Sequence, residues 1–343
     1  MTDNLLIEVY MNEKLNYLLN ISKLYESFIE LTSNDCLKRF LAFKIVTSAM
    51  SFEDLIGSRQ HPVMRDIRNV FLAHQQNGEF FDGFSASEEI CKTNISALVL
   101  DMEKYLGSSV NSVVELEDEQ LSLDIRSLTK LIIDEYHKEF HEGFRLSNNF
   151  LCSGANQIKE ISSNPISSTF YRYNSSKELS IFANFFISNF IGRNLSEMVL
   201  RSFKVDYILH AVNMWDSIFK DTKNPYSIDG LLEVMQNENI GDTTAISALL
   251  EKTDAIKIYK ELRWFRNKLA GHMDKKEELS DLFIKLDMYD FNQAFDFVNS
   301  IDKAVWETKN THIALKVHYM SNEKINGENI IEIKGIKNKP YDS

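Results

Sequence analysis

The sequence predicts an all-α protein with a small β-hairpin at its C-terminal end. Three observations point there. Glycine and proline are scarce, 12 and 4 among 343 residues, so few positions force a turn or break a helix. Apolar residues recur at spacings of three and four over most of the chain. Near the end the period falls to two, at Ile313, Leu315, Val317 and Tyr319, and Asn326-Gly327 precedes the apolar run NIIEIKGI, the pattern of a hairpin.

The elements follow in order. Leu5, Leu6, Val9, Leu15, Leu18, Leu19, Leu24, Phe28 and Ile29 keep helical spacing through residues 1–31, and CLKRFLAFKIVTSAMSFEDLI continues in the same style. Pro62 suits the first turn of a further helix, where its missing N–H costs little. ASEEICKTNISALVLDMEKYL reads as one more amphipathic helix, ended by Gly107-Ser108-Ser109. An acidic helical piece then leads into LSNNFLCSGANQIKEISSNPISSTFYRYNSS, whose Ser, Asn and Pro165 mark a connection. Helical periodicity resumes at ELSIFANFFISNFI and continues through VDYILHAVNMWDSIF. DAIKIYKELRWFRNKLAGH follows with Asp254 as its expected N-cap, then FNQAFDFVNSIDKAVW. These readings divide the chain into an N-terminal helical domain (1–106), a connecting segment (107–177), a C-terminal helical domain (178–310), and a hairpin with its tail (311–343).

Composition narrows the class. Hydrophobic residues at 44% and charged residues at 26% are those of a globular chain. Cys36, Cys91 and Cys152 are too few and too scattered for a disulfide framework or a zinc knuckle. No apolar run reaches bilayer length, and MTDNLLIEVY has acidic residues where a signal peptide has basic ones, so a cytoplasmic protein without membrane contact is expected. The net charge of −12 argues against a generic nucleic-acid coat. Yet charge is segregated: residues 251–276 hold eight Lys/Arg against four Asp/Glu, whereas 115–142 hold three against nine.

One constellation occurs twice. RDIRNVFLAH (65–74) and RWFRNKLAGH (263–272) align without a gap and share Arg65/Arg263, Arg68/Arg266, Asn69/Asn267 and His74/His272. Their apolar frames agree as well, Met64, Ile67 and Phe71 matching Leu262, Phe265 and Leu269. The one other Arg-Asn pair, Arg193-Asn194, has Val199 where the histidine would stand. At about 100° per residue the Arg and His fall roughly 65° and 55° to either side of the apolar stripe. Two such stripes packed together would gather two Arg and two His at one seam; alternatively each stripe faces its own core. Gly271 predicts a bend or an end of the second helix there.

An Arg, a polar residue and then a His after four to six intervening positions, late in a helical bundle, resembles the HEPN superfamily. Five residues separate each Arg from its His here, and Asn fills the polar slot both times. The resemblance covers the motif helices closely and the rest only as helical architecture. It implies two HEPN-like antiparallel bundles packed as a pseudo-dimer, and a metal-independent endoribonuclease with one composite site. Toxin–antitoxin, abortive-infection and CRISPR-associated settings are typical of the superfamily. An RNA substrate, an antitoxin or other regulatory partner and a homodimer are its implied partners. No cofactor and no metal are expected.

The residue types suit that chemistry. Metal-free RNA cleavage needs a base for the 2′-OH proton and an acid for the leaving 5′-oxygen, and histidine serves as either near neutrality. A guanidinium grips the charge gathering on the phosphoryl oxygens. His74 and His272 are thus the expected proton-transfer pair, Arg68 and Arg266 the phosphate clamp, and Asn69 and Asn267 its orienting groups. Arg65, Arg263 and Lys268 would extend the phosphate track. The alternative is a catalytically inactive helical module binding RNA, a nucleotide or a protein. A third candidate is a metal-dependent hydrolase: in DEYHKEFHEG, His137 and His141 stand at i, i+4, but Lys138 occupies the place of the catalytic Glu of HExxH sites. Trp215, Trp264 and Trp306 are expected in the core or an interface rather than as base-stacking platforms.

Overall fold

Every regular element among the described residues is a helix. The computed structural model describes residues 3–31, 35–73, 86, 89–90, 92–109, 165–190, 197–219, 229–237, 239 and 242–307, the last without 272 and 274. The helices are α1 (Asp3–Leu31) and α2 (Asp35–Ile56), α3 (Pro62–Ile67) running into a π-helical turn (Arg68–Ala73), and α4 (Ile95–Ser109). There follow α5 (Pro165–Phe190), α6 (Glu197–Ile218), α7 (Leu231–Asn237) and α8 (Thr244–Glu251). Next, α9 (Thr253–Phe265) runs into a second π-helical turn (Arg266–Ala270), followed by α10 (Leu279–Met288) and α11 (Phe291–Glu307). None of these helices is long and apolar enough to cross a membrane.

Local chemistry sets several boundaries. Pro62 opens α3 as expected. The stretch 86–106 is not one continuous helix: Thr93 Oγ1 closes the preceding turn on the Glu89 carbonyl at 2.9 Å, and Asn94 Oδ1 accepts the Ala97 N–H at 3.3 Å, capping a new start. Helix α5 begins at Pro165, inside the Ser-rich stretch read as connection. Its serines serve as small packing residues, Ser175 and Ser176 being buried, and Ser180 donates back to the Lys177 carbonyl at 2.7 Å. Helix α9 starts one residue before Asp254, so this carboxylate sits in the first turn, favoured by the helix dipole rather than acting as cap. The acidic piece, His137, His141 and the C-terminal hairpin lie outside the described residues.

Two long helix pairs frame the molecule. Helices α1 and α2 pack along each other, as do α5 and α6, and their short connections leave the antiparallel arrangement. Each pair is followed by a helix bearing one copy of the repeated constellation and then by a closing helix: α4 lies on α1 and α2, α11 on α6 and α9. The buried apolar residues of both sets form one continuous cluster. Phe40 of α2 stacks on Phe182 of α5 with centroids 5.2 Å apart, and Phe186 stacks on Phe203 of α6 at 4.2 Å. Each such ring contributes about 1.5–3 kcal/mol by burial. Helix α6 is buried without interruption from Val205 to Trp215, so it has neighbours on every side.

A polar cluster lies within this core. The Lys44 ammonium of α2 meets Asp206 Oδ1 at 3.1 Å and His210 Nε2 at 2.6 Å, both on α6. Tyr25 of α1 donates to Asp206 Oδ2 at 3.1 Å and lies 2.9 Å from Ser202 Oγ. All these groups are buried. Burial and the adjacent Lys44 charge hold the His210 pKa well below its ordinary value, and burial, reinforced by Asp206, raises that of Tyr25. His210 is therefore neutral and accepts from Lys44.

Unfolded histidine takes a proton near pH 6.5 and folded His210 does not, so its contribution is full above that pH and is lost as pH falls below it. Urea unfolding at pH 7 and pH 5.5 should show the loss in the wild type. His210→Gln, which keeps an acceptor for Lys44, should flatten it.

Candidate functional site

Both copies of the repeated constellation leave the α-helix at their arginine. The Arg68 N–H is shared between the carbonyls of Arg65 and Met64, and the Arg266 N–H between those of Arg263 and Leu262. Beyond each arginine the chain winds as a π-helix. In the second copy the Gly271 N–H closes on the Arg266 carbonyl, five residues back, at 2.7 Å. Such turns are rare and are found mostly at functional sites. A π turn advances through a smaller angle per residue, so wheel positions drawn at α-helical pitch hold only as far as the arginine. The apolar stripes are buried on both sides of the repeat: Met64 and Ile67 in the first, Leu262, Phe265 and Leu269 in the second.

The two copies meet. Arg68 is only 1% exposed; its Nη1 donates to the Gly271 carbonyl at 2.7 Å and its Nη2 to Asp54 Oδ2 at 2.8 Å. Gly271 directly precedes His272, so the guanidinium of one copy holds the backbone beside the histidine of the other. Asn213 of α6 adds a second tie, its Nδ2 donating to the Leu72 carbonyl in the first π turn. Gly271 stays in the ordinary right-handed region; what it presents is a carbonyl at a close crossing. Its neighbour Met273 does adopt a left-handed backbone, φ 43°, with a buried side chain. For a non-glycine residue that geometry costs about 1–3 kcal/mol and is held by its surroundings.

Each arginine rests on an aspartate two residues before the end of a 22-residue helix. For Arg68 it is Asp54 of α2. For Arg266, 5% exposed, it is Asp216 of α6, with Nη1 at 3.0 Å from Oδ2. Arg266 Nε and Nη2 also donate to Asn267 Oδ1, both at 3.2 Å, so Asn267 helps to orient the guanidinium. Tyr259 donates to Asp216 Oδ1 at 2.6 Å and accepts from Arg263 Nη1 at 3.0 Å. Burial lowers the Arg68 pKa against the opposing pull of Asp54; burial and the Asp216 charge raise that of Tyr259.

The flanking cations are engaged as well. Arg65 is turned onto the end of α2, donating to Asp54 Oδ1, to Glu53 Oε2 at 2.8 Å and to the Ser58 carbonyl at 3.0 Å. Glu53 Oε1 also meets His61 Nδ1 at 2.6 Å. Lys268 pairs with Glu277 at 2.6 Å, and its hydrogen bond holds that carboxyl below the usual range. Asn69 is half-buried and Asn267 exposed. His74 and His272 themselves lie outside the described residues. Among the described residues no group of three or more His, Cys, Asp or Glu could hold a metal ion. Trp215 is buried as expected, whereas Trp264 is exposed on α9.

Asp54, Asp216 and Asn213 were missed from the sequence alone. The signal that could have found the two aspartates is the parallel between FEDLI closing α2 and MWDSI closing α6. No family model, curated protein or solved structure matches this chain.

Removing one member of a buried ion pair leaves the other charge uncompensated, which costs about 3–5 kcal/mol. Asp54→Ala and Asp216→Ala are each expected to lower stability by about that amount in urea unfolding. Asn213→Ala, which frees only the Leu72 carbonyl, should cost about 1–3 kcal/mol.

Proposed function

We propose that this chain is a metal-independent endoribonuclease whose one site is assembled from two HEPN-like motif copies, the two halves packed as an intramolecular pseudo-dimer. The observation that carries the reading is the hydrogen bond from Arg68 to the Gly271 carbonyl. It joins the two copies at the residue next to His272. The matching π turns and the matching Arg–Asp pairs support a duplicated site rather than two unrelated helix ends.

In this reading one histidine takes the 2′-OH proton as the 2′-oxygen attacks phosphorus, and the other protonates the departing 5′-oxygen. The products are a 2′,3′-cyclic phosphate and a 5′-OH end. The internal nucleophile is absent from DNA, which is therefore no substrate. The arginines act first as positioning residues. Both are buried on carboxylates, so their charge sets the two histidine-bearing turns in place, and a phosphate contacts them only by displacing Asp54 or Asp216. A toxin or phage-defence effector, restrained by a regulatory partner, is the setting that fits such an activity.

The same burial favours a second reading, a catalytically inactive module that binds RNA, a nucleotide or a protein. Incubation of the full chain with oligoribonucleotides in EDTA separates the two. The expected outcome is cleavage that persists in chelator, leaves cyclic-phosphate ends, and falls about 10²–10⁴-fold in His74→Ala and in His272→Ala. Binding without cleavage supports the second reading; cleavage abolished by EDTA overturns the metal-independent mechanism.

A further inference from the structure

Trp264 lies on the surface and not in the core, the first of the two places expected for the tryptophans. Its side chain is 36% exposed on α9, one turn ahead of Asn267. The exposed face it shares carries Lys257, Lys260 and Trp264, at spacings of three and four that keep all three on one side of α9. The face runs about 10 Å along the axis, ending just before the turn in which the Asn267 side-chain oxygen orients Arg266.

Beside it lies a surface hollow of about 520 Å³ between α9 and α10, lined by Lys260, Trp264, Lys285, Met288 and Tyr289 among others. The Lys285 ammonium stands 5.2 Å from the Trp264 ring centre. Met288 is 82% exposed and Ile284 55%, so apolar surface and cations are interleaved on one patch. Glu261 lies in the hollow and is spanned by Lys257 at 4.0 Å, and Glu277 reaches Lys285 at 3.5 Å; both contacts involve exposed lysines that a phosphate can share. In a chain of net charge −12, a lysine-flanked indole left open to solvent is a feature that core packing does not explain.

We propose that this face of α9, with the hollow against α10, is a track for single-stranded RNA, on which Trp264 stacks one base while Lys257, Lys260 and Lys285 hold neighbouring phosphates. The inference deepens the ribonuclease reading and rests on it for the identity of the ligand. Charge complementarity selects a polyanion over an apolar peptide. The indole selects an unpaired strand over a duplex, because only an unstacked base offers its face. The track would deliver the strand to the seam and so restrict cleavage to unpaired regions.

The test measures binding of a labelled single-stranded oligoribonucleotide to full-length His74→Ala/His272→Ala protein, where cleavage does not intervene. Adding Trp264→Ala should weaken affinity about tenfold, the loss of one base stack, and Trp264→Phe should recover most of it. Lys257→Gln with Lys260→Gln should reduce the salt slope by about 1.4, two phosphate contacts on a single strand. A duplex of the same sequence should compete poorly. These lysines are exposed, so their variants carry the test even if Trp264→Ala fails to fold. RNA affinity unchanged by the Trp264 and lysine variants overturns the track, as does a loss confined to self-association in sedimentation or to binding of a protein partner. The two readings fail separately: Trp264-dependent binding by a chain that does not cut refutes the nuclease alone, and cutting with unchanged affinity in Trp264→Ala refutes the track alone.

Discussion

A buried guanidinium is the constraint around which the described part of the molecule is arranged. Taking the Arg68 charge out of water is unfavourable by several kcal/mol unless every neighbouring group compensates it. Asp54 supplies the opposite charge and the Gly271 carbonyl the remaining acceptor. These two groups belong to different parts of the chain, so the position of one half relative to the other follows from satisfying a single side chain. Asn213, donating to the Leu72 carbonyl from α6, keeps the same crossing in register from the opposite direction.

Helix α6 is the element on which both copies rest. It gives Asp216 to Arg266, Asn213 to the first π turn, and Asp206 with His210 to Lys44 of α2. Its buried stretch from Val205 to Trp215 has no solvent-facing stripe, and there Asp206, His210 and Asn213 find their side-chain partners on other elements. Each of those partnerships therefore also fixes a neighbour. The π turns belong to the same economy of space, since they let each motif helix change direction at its arginine while the apolar stripe before it stays in the core.

Much of the fold was legible in the sequence because it depends on period. Pro62 and the spacing in 1–31 placed their helices, and the repetition of Arg-Asn…His exposed the kinship of α3 and α9. What escaped depends on partners distant in the chain. Ser175 and Ser176 look like loop residues until a closely packed neighbour makes small side chains useful. Asp54 and Asp216 look like ordinary helix-end acids until the arginines arrive from elsewhere. The shift from α to π winding has no compositional mark at all, so the angular placement of everything beyond Arg68 and Arg266 could not be read from a wheel. Which of the two expected places, core or interface, Trp264 takes was open for a similar reason: it sits at helical spacing, but Leu262 and Phe265 take the buried side.

The insertion of α7 and α8 between α6 and α9 has a consequence in time. Asp54 and Arg68 are 14 residues apart in the chain, Asp216 and Arg266 are 50 apart, and Arg68 and Gly271 are 203 apart. Closing the second of these loops costs about 1 kcal/mol more entropy than the first, so the first arginine finds its carboxylate early and the second later. The bridge between the copies comes last, since no emerging chain shorter than 271 residues contains its acceptor. During synthesis the bridge is thus the last of these three contacts to become possible, and an N-terminal half made alone carries Arg68 with one of its two anchors missing.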